Sequence, residues 1–329
     1  MKKVSVIIPA YNAGAYLNRA LKSISSQTFS DWECILVNDG SCDQTRAIAD
    51  EYASQDSRFV VIHQTNEGVS AARNRGLQEA KGKYVCFADA DDELEADCLQ
   101  LTYEAAETAE ADITVYGFSY CYSNQAVKTW LPRQQNSMKA YCEDWIARYG
   151  INSPCNKLFV RDKIRVLFDV NHSMGEDLRF CCEYLKNVER VVVVEKPLYR
   201  YYCEAGNSLT KNMKSRMDAI IYDTESLKNL IEKFNFAHNV IGERSINQIL
   251  GMLMDCRDTD SMMHLSNLLS HNEALLYYLW NCTIYSKKLR LIRYLLLRKH
   301  NRLLNFLIQA KKCCNVKGSN VHQLGCNLR

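Results

Sequence analysis

The sequence predicts an α/β fold in which a mostly parallel central sheet carries helices on both faces and is followed by a helical C-terminal extension. Short apolar runs of the buried-strand type alternate with segments whose apolar residues recur at helical spacing. Strands that alternate with helices in this way form parallel sheets. Such sheets bind ligands beyond the carboxyl ends of their strands, which is where polar clusters occur in this chain.

The elements follow one another without interruption over residues 4–88. The first strand is the apolar run Val4-Ser5-Val6-Ile7-Ile8-Pro9, and we expect Pro9 to end it because proline cannot donate to a strand ladder. The predicted strands are residues 4–9, 32–37, 58–63 and 84–88, and the predicted helices are residues 15–27, 44–53 and 68–80.

Polar clusters follow each of these strands. They are Tyr11-Asn12, Asp39-Gly40-Ser41, Asn66-Glu67-Gly68 and the acidic run Asp89-Ala-Asp-Asp-Glu93. Because the carboxyl ends of parallel strands lie on one side of a sheet, we expect a single crevice to collect all four clusters.

The acidic run has two interpretations on its own residues. Carboxylates gathered at a strand end suit a hard divalent cation, which prefers oxygen ligands and often bridges to substrate phosphates. Alternatively, Asp91 and Asp92 cap and charge the start of a following helix, where free N–H groups favour acids.

The motifs resemble those of the family 2 glycosyltransferases. The resemblance lies in Ser5-Val-Ile-Ile-Pro-Ala-Tyr-Asn12, Val37-Asn-Asp-Gly-Ser41, Glu67-Gly-Val-Ser-Ala-Ala-Arg-Asn-Arg-Gly76 and Phe87-Ala-Asp-Ala-Asp-Asp92, with weaker similarity at residues 154–159, 175–180 and 197–202. It implies a GT-A type, Rossmann-like nucleotide-sugar fold. It also implies an inverting transfer of one sugar, usually from a uridine diphosphate (UDP) sugar.

The resemblance assigns the nucleotide to residues after the first three strands. Pro9, Tyr11 and Asn12 would form a wall for the flat base, and Asp39 would accept the imide N–H of uracil. Arg73 would hold a phosphate or ribose oxygen through its planar fork. As alternatives, Tyr11 is an ordinary surface aromatic, Asp39 makes an Asx turn and Arg73 is solvated.

The acidic residues receive the remaining roles. By the resemblance, Asp89 contacts the ribose, Asp91 binds the metal, Mn²⁺ or Mg²⁺, and Asp177 is the general base that accepts the proton of the acceptor hydroxyl. Asp92 contacts the donor sugar or caps a helix beginning near Glu93. Asp177 could instead be one of two acids that open a helix.

Two segments beyond Asp177 predict a further loop of the site. Tyr199-Arg-Tyr-Tyr202 and Ser208-Leu-Thr210 are predicted to form a loop that closes over the diphosphate.

Composition is typical of an enzyme of the cytoplasm. No run approaches the roughly 20 apolar residues of a membrane span, and the first strand begins too early to leave room for a signal peptide. The 15 cysteines are odd in number and show no C-x-x-C spacing, which favours reduced thiols.

The C-terminal segment is strongly basic. Beyond Glu273 there is no acidic residue and there are 11 lysines and arginines; subtracting these 11 from the net +3 of the chain leaves −8 for residues 1–273. Residues 287–310 predict a basic amphipathic helix suited to the anionic inner face of a cell membrane. The alternative is a helix packed on the catalytic domain, and nucleic-acid binding is disfavoured.

Two hypotheses of function follow. The first is an inverting, metal-dependent glycosyltransferase that acts on a saccharide or lipid-linked saccharide in surface polysaccharide or glycolipid biosynthesis. The second is a catalytically inactive partner subunit that binds nucleotide sugars. A nucleotidyltransferase is disfavoured, because no glycine-rich, lysine-containing phosphate loop follows the first strand. We expect residues 1–118 to bind the donor, residues 119–210 to bind the acceptor and supply the base, and residues 211–329 to be helical.

Overall fold

The computed structural model describes residues 2–123, 126–172, 174–203, 213–235 and 239–255, together with residues 277, 290, 291 and 294. The chain divides into two compact units, one of residues 1–141 and 153–207 and the other of residues 142–152 and 208–329. Most of the predicted basic helix of residues 287–310 lies outside the described residues.

The first unit begins with the predicted alternation of strands and helices. Its elements are β1 (Val4–Ala10), α1 (Leu17–Ser25), β2 (Trp32–Asp39), α2 (Thr45–Gln55), β3 (Phe59–Gln64), α3 (Val69–Glu79) and β4 (Tyr84–Phe87). β1 and β2 are buried along their whole length, which is why each reads as an unbroken apolar run. β1 pairs in parallel with both β2 and β4, and β2 pairs in parallel with β3.

The remaining elements complete the sheet and continue into the second unit. They are β5 (Glu93–Leu94), α4 (Cys98–Thr108), β6 (Ile113–Tyr122), β7 (Val127–Trp130), α5 (Met138–Ala147), β8 (Lys157–Val160), α6 (Glu176–Leu185), β9 (Val191–Cys203), α7 (Met213–Phe234) and α8 (Asn239–Asp255). The strand order is β3-β2-β1-β4-β8-β6-β9-β5, and β7 pairs with β6.

The α/β fold with helices on both faces is confirmed, but the sheet is mixed rather than mostly parallel. β8 runs antiparallel to both β4 and β6, and β5 runs antiparallel to β9. The parallel prediction held where helical crossovers connect the strands. Beyond β4 the sheet is mixed: β9 pairs in parallel with β6, whereas β5, β7 and β8 pair antiparallel with their neighbours, and apolar periodicity does not specify strand direction.

β1 continues to Ala10, one residue beyond the predicted end at Pro9. Its ladder with β4 ends where Ile7 lies opposite Phe87 and Ala88 N donates to Ile7 O. Pro9 points its backbone to the same side as Ile7, where β4 has already ended. Its missing N–H therefore costs no ladder bond.

An aromatic cluster fixes α6 against the end of β4. The rings of Phe168 and Phe180 stack with their centroids 4.1 Å apart, and Phe87 meets both rings edge-on at 5.2 and 5.6 Å. Such pairs stabilise a core beyond the area they bury. They place the N-terminus of α6 near the acidic residues that follow β4.

The second unit contains α7 and α8, within the region where helices are predicted. Asp223 of α7 forms a buried ion pair with Arg244 of α8 at 3.1 Å, and Gln248 donates to the same carboxylate at 3.2 Å. Among the described residues, no helix has the length and apolar character to cross a membrane. The predicted boundary at residues 118 and 119 falls within the continuous strand β6.

Candidate active site

The carboxylate of Asp39, at the end of β2, is buried and accepts three hydrogen bonds. Oδ1 accepts from Gln64 Nε2 at 2.8 Å and from Glu67 N at 2.9 Å, while Oδ2 accepts from Gly68 N at 2.8 Å. These bonds join the end of β2 to the loop that leads into α3. Asp39 thus shapes the crevice, and its contact with uracil stays a prediction.

Gly40 allows two of the strand-end loops to meet. Its φ is +72°, a conformation that side chains disfavour, and a Cβ at this position would lie 2.6 Å from Asn66 N. Any other residue here would be strained and would push the loop after β3 away from Asp39.

The loops after β1 and β2 are joined through Asn12. Asn12 N donates to Ser41 Oγ at 3.0 Å, and Cys42 N donates to Asn12 Oδ1 at 3.0 Å. Tyr11 is 54% exposed beside this junction. The structure thus brings Tyr11, Asn12 and the end of β2 together as the sequence predicts, and the base-binding role of Pro9, Tyr11 and Asn12 stays a prediction.

Residues 89–92, here called the acidic loop, connect β4 to β5. No helix begins there, since β5 pairs antiparallel with β9 and α4 begins only at Cys98. The interpretation that Asp91 or Asp92 caps a helix near Glu93 is therefore wrong. The chain is extended at that point because β5 pairs with β9 as the terminal strand of the sheet.

The three carboxylates of the acidic loop lie in different environments. Asp91 is exposed, the side chain of Asp89 is 34% exposed and Asp92 is buried. Asp92 Oδ2 accepts from the hydroxyl of Tyr199 at 2.8 Å, and Oδ1 accepts from Tyr202 N at 2.9 Å. Burial raises the pKa of Asp92 well above its usual value, and the charges of Asp89 and Asp91 add to the rise. The predicted contact of Asp92 with the donor sugar stays a prediction.

Sequence reasoning missed the role of Tyr199. Its buried hydroxyl also accepts a hydrogen bond from Asp89 N at 3.0 Å, so one phenol holds both ends of the acidic loop. The prediction that Tyr199 to Tyr202 form a closing loop is wrong, because these residues lie within β9. Residues 208–210 lie outside the described residues. The two tyrosines at alternate positions, 199 and 201, were the signal for a strand.

The candidate base lies at the first turn of α6. Gly175 has a φ of +86° and lets the chain turn sharply into the helix. Leu178 and Phe180 are each 2% exposed and anchor the helix, as predicted. Glu176 is buried, whereas the side chain of Asp177 is 31% exposed.

The guanidinium of Arg73 joins the acidic loop to α6. Nη1 donates to Asp177 Oδ1 at 2.6 Å and lies 3.5 Å from Glu176 Oε1, and Nη2 donates to Asp89 Oδ1 at 3.1 Å. Arg73 is 4% exposed. Acidic residues from two distant segments, Asp89 and the adjacent pair Glu176-Asp177, therefore meet at one buried cation.

Arg75 shows the opposite orientation on the same helix. Its side chain is 47% exposed and pairs with Glu79 at 2.9 Å. The prediction that Arg73 and Arg75 point to different sides of α3 is confirmed.

Burial raises the pKa of Asp177 to about 8, although the neighbouring charge of Arg73 opposes the rise. Glu176 and Asp89 raise this pKa further, and Lys157 lowers it. A carboxyl with such a pKa suits a general base near neutral pH.

Lys157 is a second functional candidate that sequence reasoning missed. It is fully buried on β8, and its ammonium donates to Ser153 O at 2.5 Å and Asn156 Oδ1 at 2.8 Å. Burial lowers its pKa. A lysine within an apolar strand, in the segment Pro154-Cys-Asn-Lys-Leu-Phe159, was the available signal, since a buried lysine needs compensating partners.

The donor atoms of the acidic loop fit a hard divalent cation. Among the described residues, no group of three or more histidine, cysteine or acidic side chains is arranged to hold a metal. Mg²⁺ is commonly bound by only one or two carboxylates together with substrate phosphates. The exposed carboxylate of Asp91 suits this mode, whereas both carboxylate oxygens of Asp92 already accept hydrogen bonds from residues of β9.

Comparison with known proteins identifies the family. The sequence model of glycosyl transferase family 2 matches residues 5–168. The chain is also 30% identical over 250 residues to the uncharacterized glycosyltransferase YibD of Escherichia coli (strain K12), covering 71% of each protein. The chain belongs to glycosyl transferase family 2. The resemblance inferred from the four motifs is thus confirmed.

This family 2 chain is similar to further proteins. It is 34% identical over 224 residues to the uncharacterized glycosyltransferase EpsJ of Bacillus subtilis (strain 168), and the match spans 63% of each protein. The crystal structure of S. aureus TarS 1-349 in complex with UDP has the same fold, with a TM-score of 0.74 at 19% identity over 94% of this chain and 91% of the TarS 1-349 chain. A second TarS structure, in complex with UDP-GlcNAc, gives the same TM-score.

Proposed function

We propose that this family 2 chain is an inverting glycosyltransferase that transfers a sugar from a UDP-sugar to a hydroxyl group of a saccharide or lipid-linked saccharide. The observation that carries the proposal is the cluster in which Arg73 contacts both Asp89 and Asp177. Family membership supports glycosyl transfer. The TarS complexes with UDP and UDP-GlcNAc support a uridine nucleotide.

The reaction is a single displacement. Asp177 accepts the proton of the acceptor hydroxyl as its oxygen attacks the anomeric carbon. The bond from that carbon to the diphosphate breaks on the opposite face, and UDP leaves with the bonding electrons. Because attack and departure occur on opposite faces, the anomeric configuration inverts.

We assign the donor contacts to the loops that follow the parallel strands. Tyr11 and Asn12 border the base, Asp39 accepts the uracil imide N–H and Asp89 binds the ribose. Asp91 would hold Mn²⁺ or Mg²⁺, which when bound offsets the negative charge that develops on the diphosphate. The exposed carboxylate of Asp91 in the acidic loop supports this assignment.

We infer the class of acceptor from the family of the chain and from the positive charge of its C-terminal segment. We propose a role in surface polysaccharide or glycolipid biosynthesis, with contact of the basic C-terminal segment at the inner face of the membrane. The 11 positive charges beyond Glu273 support attraction to anionic lipids.

The variant Asp177→Asn tests the proposed chemistry. Asparagine keeps the shape of the side chain but cannot accept the proton, so we expect single-turnover transfer to fall by about two to four orders of magnitude. UDP affinity, measured by calorimetry, should stay close to that of the wild type. If Asp177 only opens α6, Asn should serve as well, and near-normal transfer would move the base to Glu176.

A wild type that binds UDP-sugars but neither transfers nor hydrolyses them would favour the inactive partner subunit. The first measurement is therefore a hydrolysis screen of UDP-glucose, UDP-galactose and UDP-GlcNAc with Mn²⁺ or Mg²⁺. Hydrolysis needs no acceptor, since water takes the place of the hydroxyl group.

A further inference from the structure

We propose that Arg73 is a positioning residue that fixes the base carboxylate of Asp177 relative to the donor-binding carboxylate of Asp89 and does not bind the donor phosphates. The inference rests on the proposed function, and it changes the role that the sequence suggests for this arginine.

The two carboxylates are held by one rigid group. Nη1 of Arg73 contacts Asp177 at 2.6 Å and Nη2 contacts Asp89 at 3.1 Å. A guanidinium is planar, so the separation of its two terminal nitrogens is constant. The base on α6 and the ribose ligand of the acidic loop therefore keep one relative position.

The surroundings of Arg73 oppose a phosphate contact. The residue is 4% exposed, and its guanidinium carbon lies 5.2 Å from the ring centroid of Phe168. Glu176 adds a third carboxylate at 3.5 Å from Nη1. A diphosphate could reach this guanidinium only by displacing a carboxylate while being repelled by the other two.

The position of Asp177 matters because reaction rate depends steeply on alignment. A displacement of about 1 Å in a reacting group can cost about 100-fold in rate. Without Arg73, Asp177 would lose the contact that holds it at a fixed position relative to Asp89.

The same contact acts on the proton affinity of the base. The charged groups that face Asp177 are Glu176 on its own helix, Asp89 on the acidic loop, Lys157 on β8 and Arg73 on α3. Arg73 lowers the pKa of Asp177, so loss of its charge should raise that pKa further.

Two variants separate geometry from charge. Arg73→Lys keeps the charge but has a single ammonium that cannot reproduce the fork, and Arg73→Gln removes the charge. Arg75→Lys on the same helix is the matched control, since Arg75 is exposed and pairs only with its own helix through Glu79 in the described contacts. Each variant is assayed for single-turnover hydrolysis at saturating UDP-sugar, UDP affinity by calorimetry and melting temperature.

We expect Arg73→Lys to hydrolyse the donor about 100-fold more slowly while binding UDP as the wild type does. Arg73→Gln should also move the rising limb of its pH–rate profile to higher pH, a shift that a loss of folding alone would not produce. Arg75→Lys should match the wild type in all three measurements.

Three outcomes would overturn the inference. A loss of UDP affinity of about tenfold or more with normal turnover at saturation would make Arg73 a phosphate ligand. Full turnover by Arg73→Lys would show that the bridge is not needed. If adding Arg73→Lys to the Asp177→Asn variant lowers its rate by the same factor as in the wild type, Arg73 does not act through Asp177. A wild type that neither transfers nor hydrolyses would instead overturn the proposed function itself.

Discussion

Replacement of Tyr199 by phenylalanine removes a single oxygen atom, and we expect it to destabilise the first unit strongly. The hydroxyl donates to the buried carboxylate of Asp92 at 2.8 Å and accepts from Asp89 N at 3.0 Å. Loss of a neutral hydrogen bond costs about 0.5–1.5 kcal/mol, and a buried donor or acceptor left without a partner costs about 1–3 kcal/mol. Tyr199→Phe should therefore lower the free energy of unfolding by about 2–4 kcal/mol.

The assay is thermal unfolding without added metal. For a unit of this size, about 1 kcal/mol corresponds to about 2–4 °C, so we expect the melting temperature to fall by about 4–16 °C. Tyr52→Phe is the control, because its hydroxyl makes one exposed bond of 3.3 Å to Asn18 O. Equal melting temperatures for the two variants would refute the reasoning that Tyr199 holds the acidic loop.

Three further predictions concern the reaction. Asp91→Ala should abolish transfer and metal-dependent donor binding, since the cation would lose its protein ligand; full transfer in excess chelator would contradict this assignment. Asp39→Ala should weaken UDP binding by about 1.5–3 kcal/mol, and calorimetry showing unchanged affinity would remove Asp39 from the uracil site. Because the pKa of Asp177 is about 8, its base form increases with pH, and the single-turnover rate should rise about tenfold per pH unit up to about pH 8. A rate that stays flat from about pH 6 to pH 8 would point to another base.

The first half of the fold was predictable from sequence because β1, β2 and β4 are buried along their whole length and read as nearly unbroken apolar runs. The helices that connect β1 to β4 lead to a parallel arrangement, which also includes the less buried β3. The later strands were harder to predict from sequence. β5 is two residues long and follows directly on the acidic loop, so its sequence resembles a helix start, and only its pairing with β9 makes it extended.

The candidate site was also predictable only in part. The motifs predicted which loops would meet, and the structure joins them through Asn12, Asp39 and Arg73. Sequence could not predict that the guanidinium of Arg73 faces three carboxylates, because those partners lie up to 104 residues away in the chain. Nor does a local pattern reveal that Tyr199 supports the acidic loop, since that contact depends on the register of β9.

The support of the acidic loop by β9 has a consequence for synthesis on the ribosome. Tyr199 and Asp92 are 107 residues apart, so a nascent chain that ends after α4 has already made the acidic loop but not the strand that holds it. Contacts between such distant segments form late in folding, because the closure of a long loop costs entropy before any contact stabilises it. β1 to β4 can assemble before β9 is made, whereas the acidic loop gains its support only when β9 joins the sheet. Until β8 pairs with it, β4 remains an open edge to which another chain could add, and such intermediates are prone to aggregate.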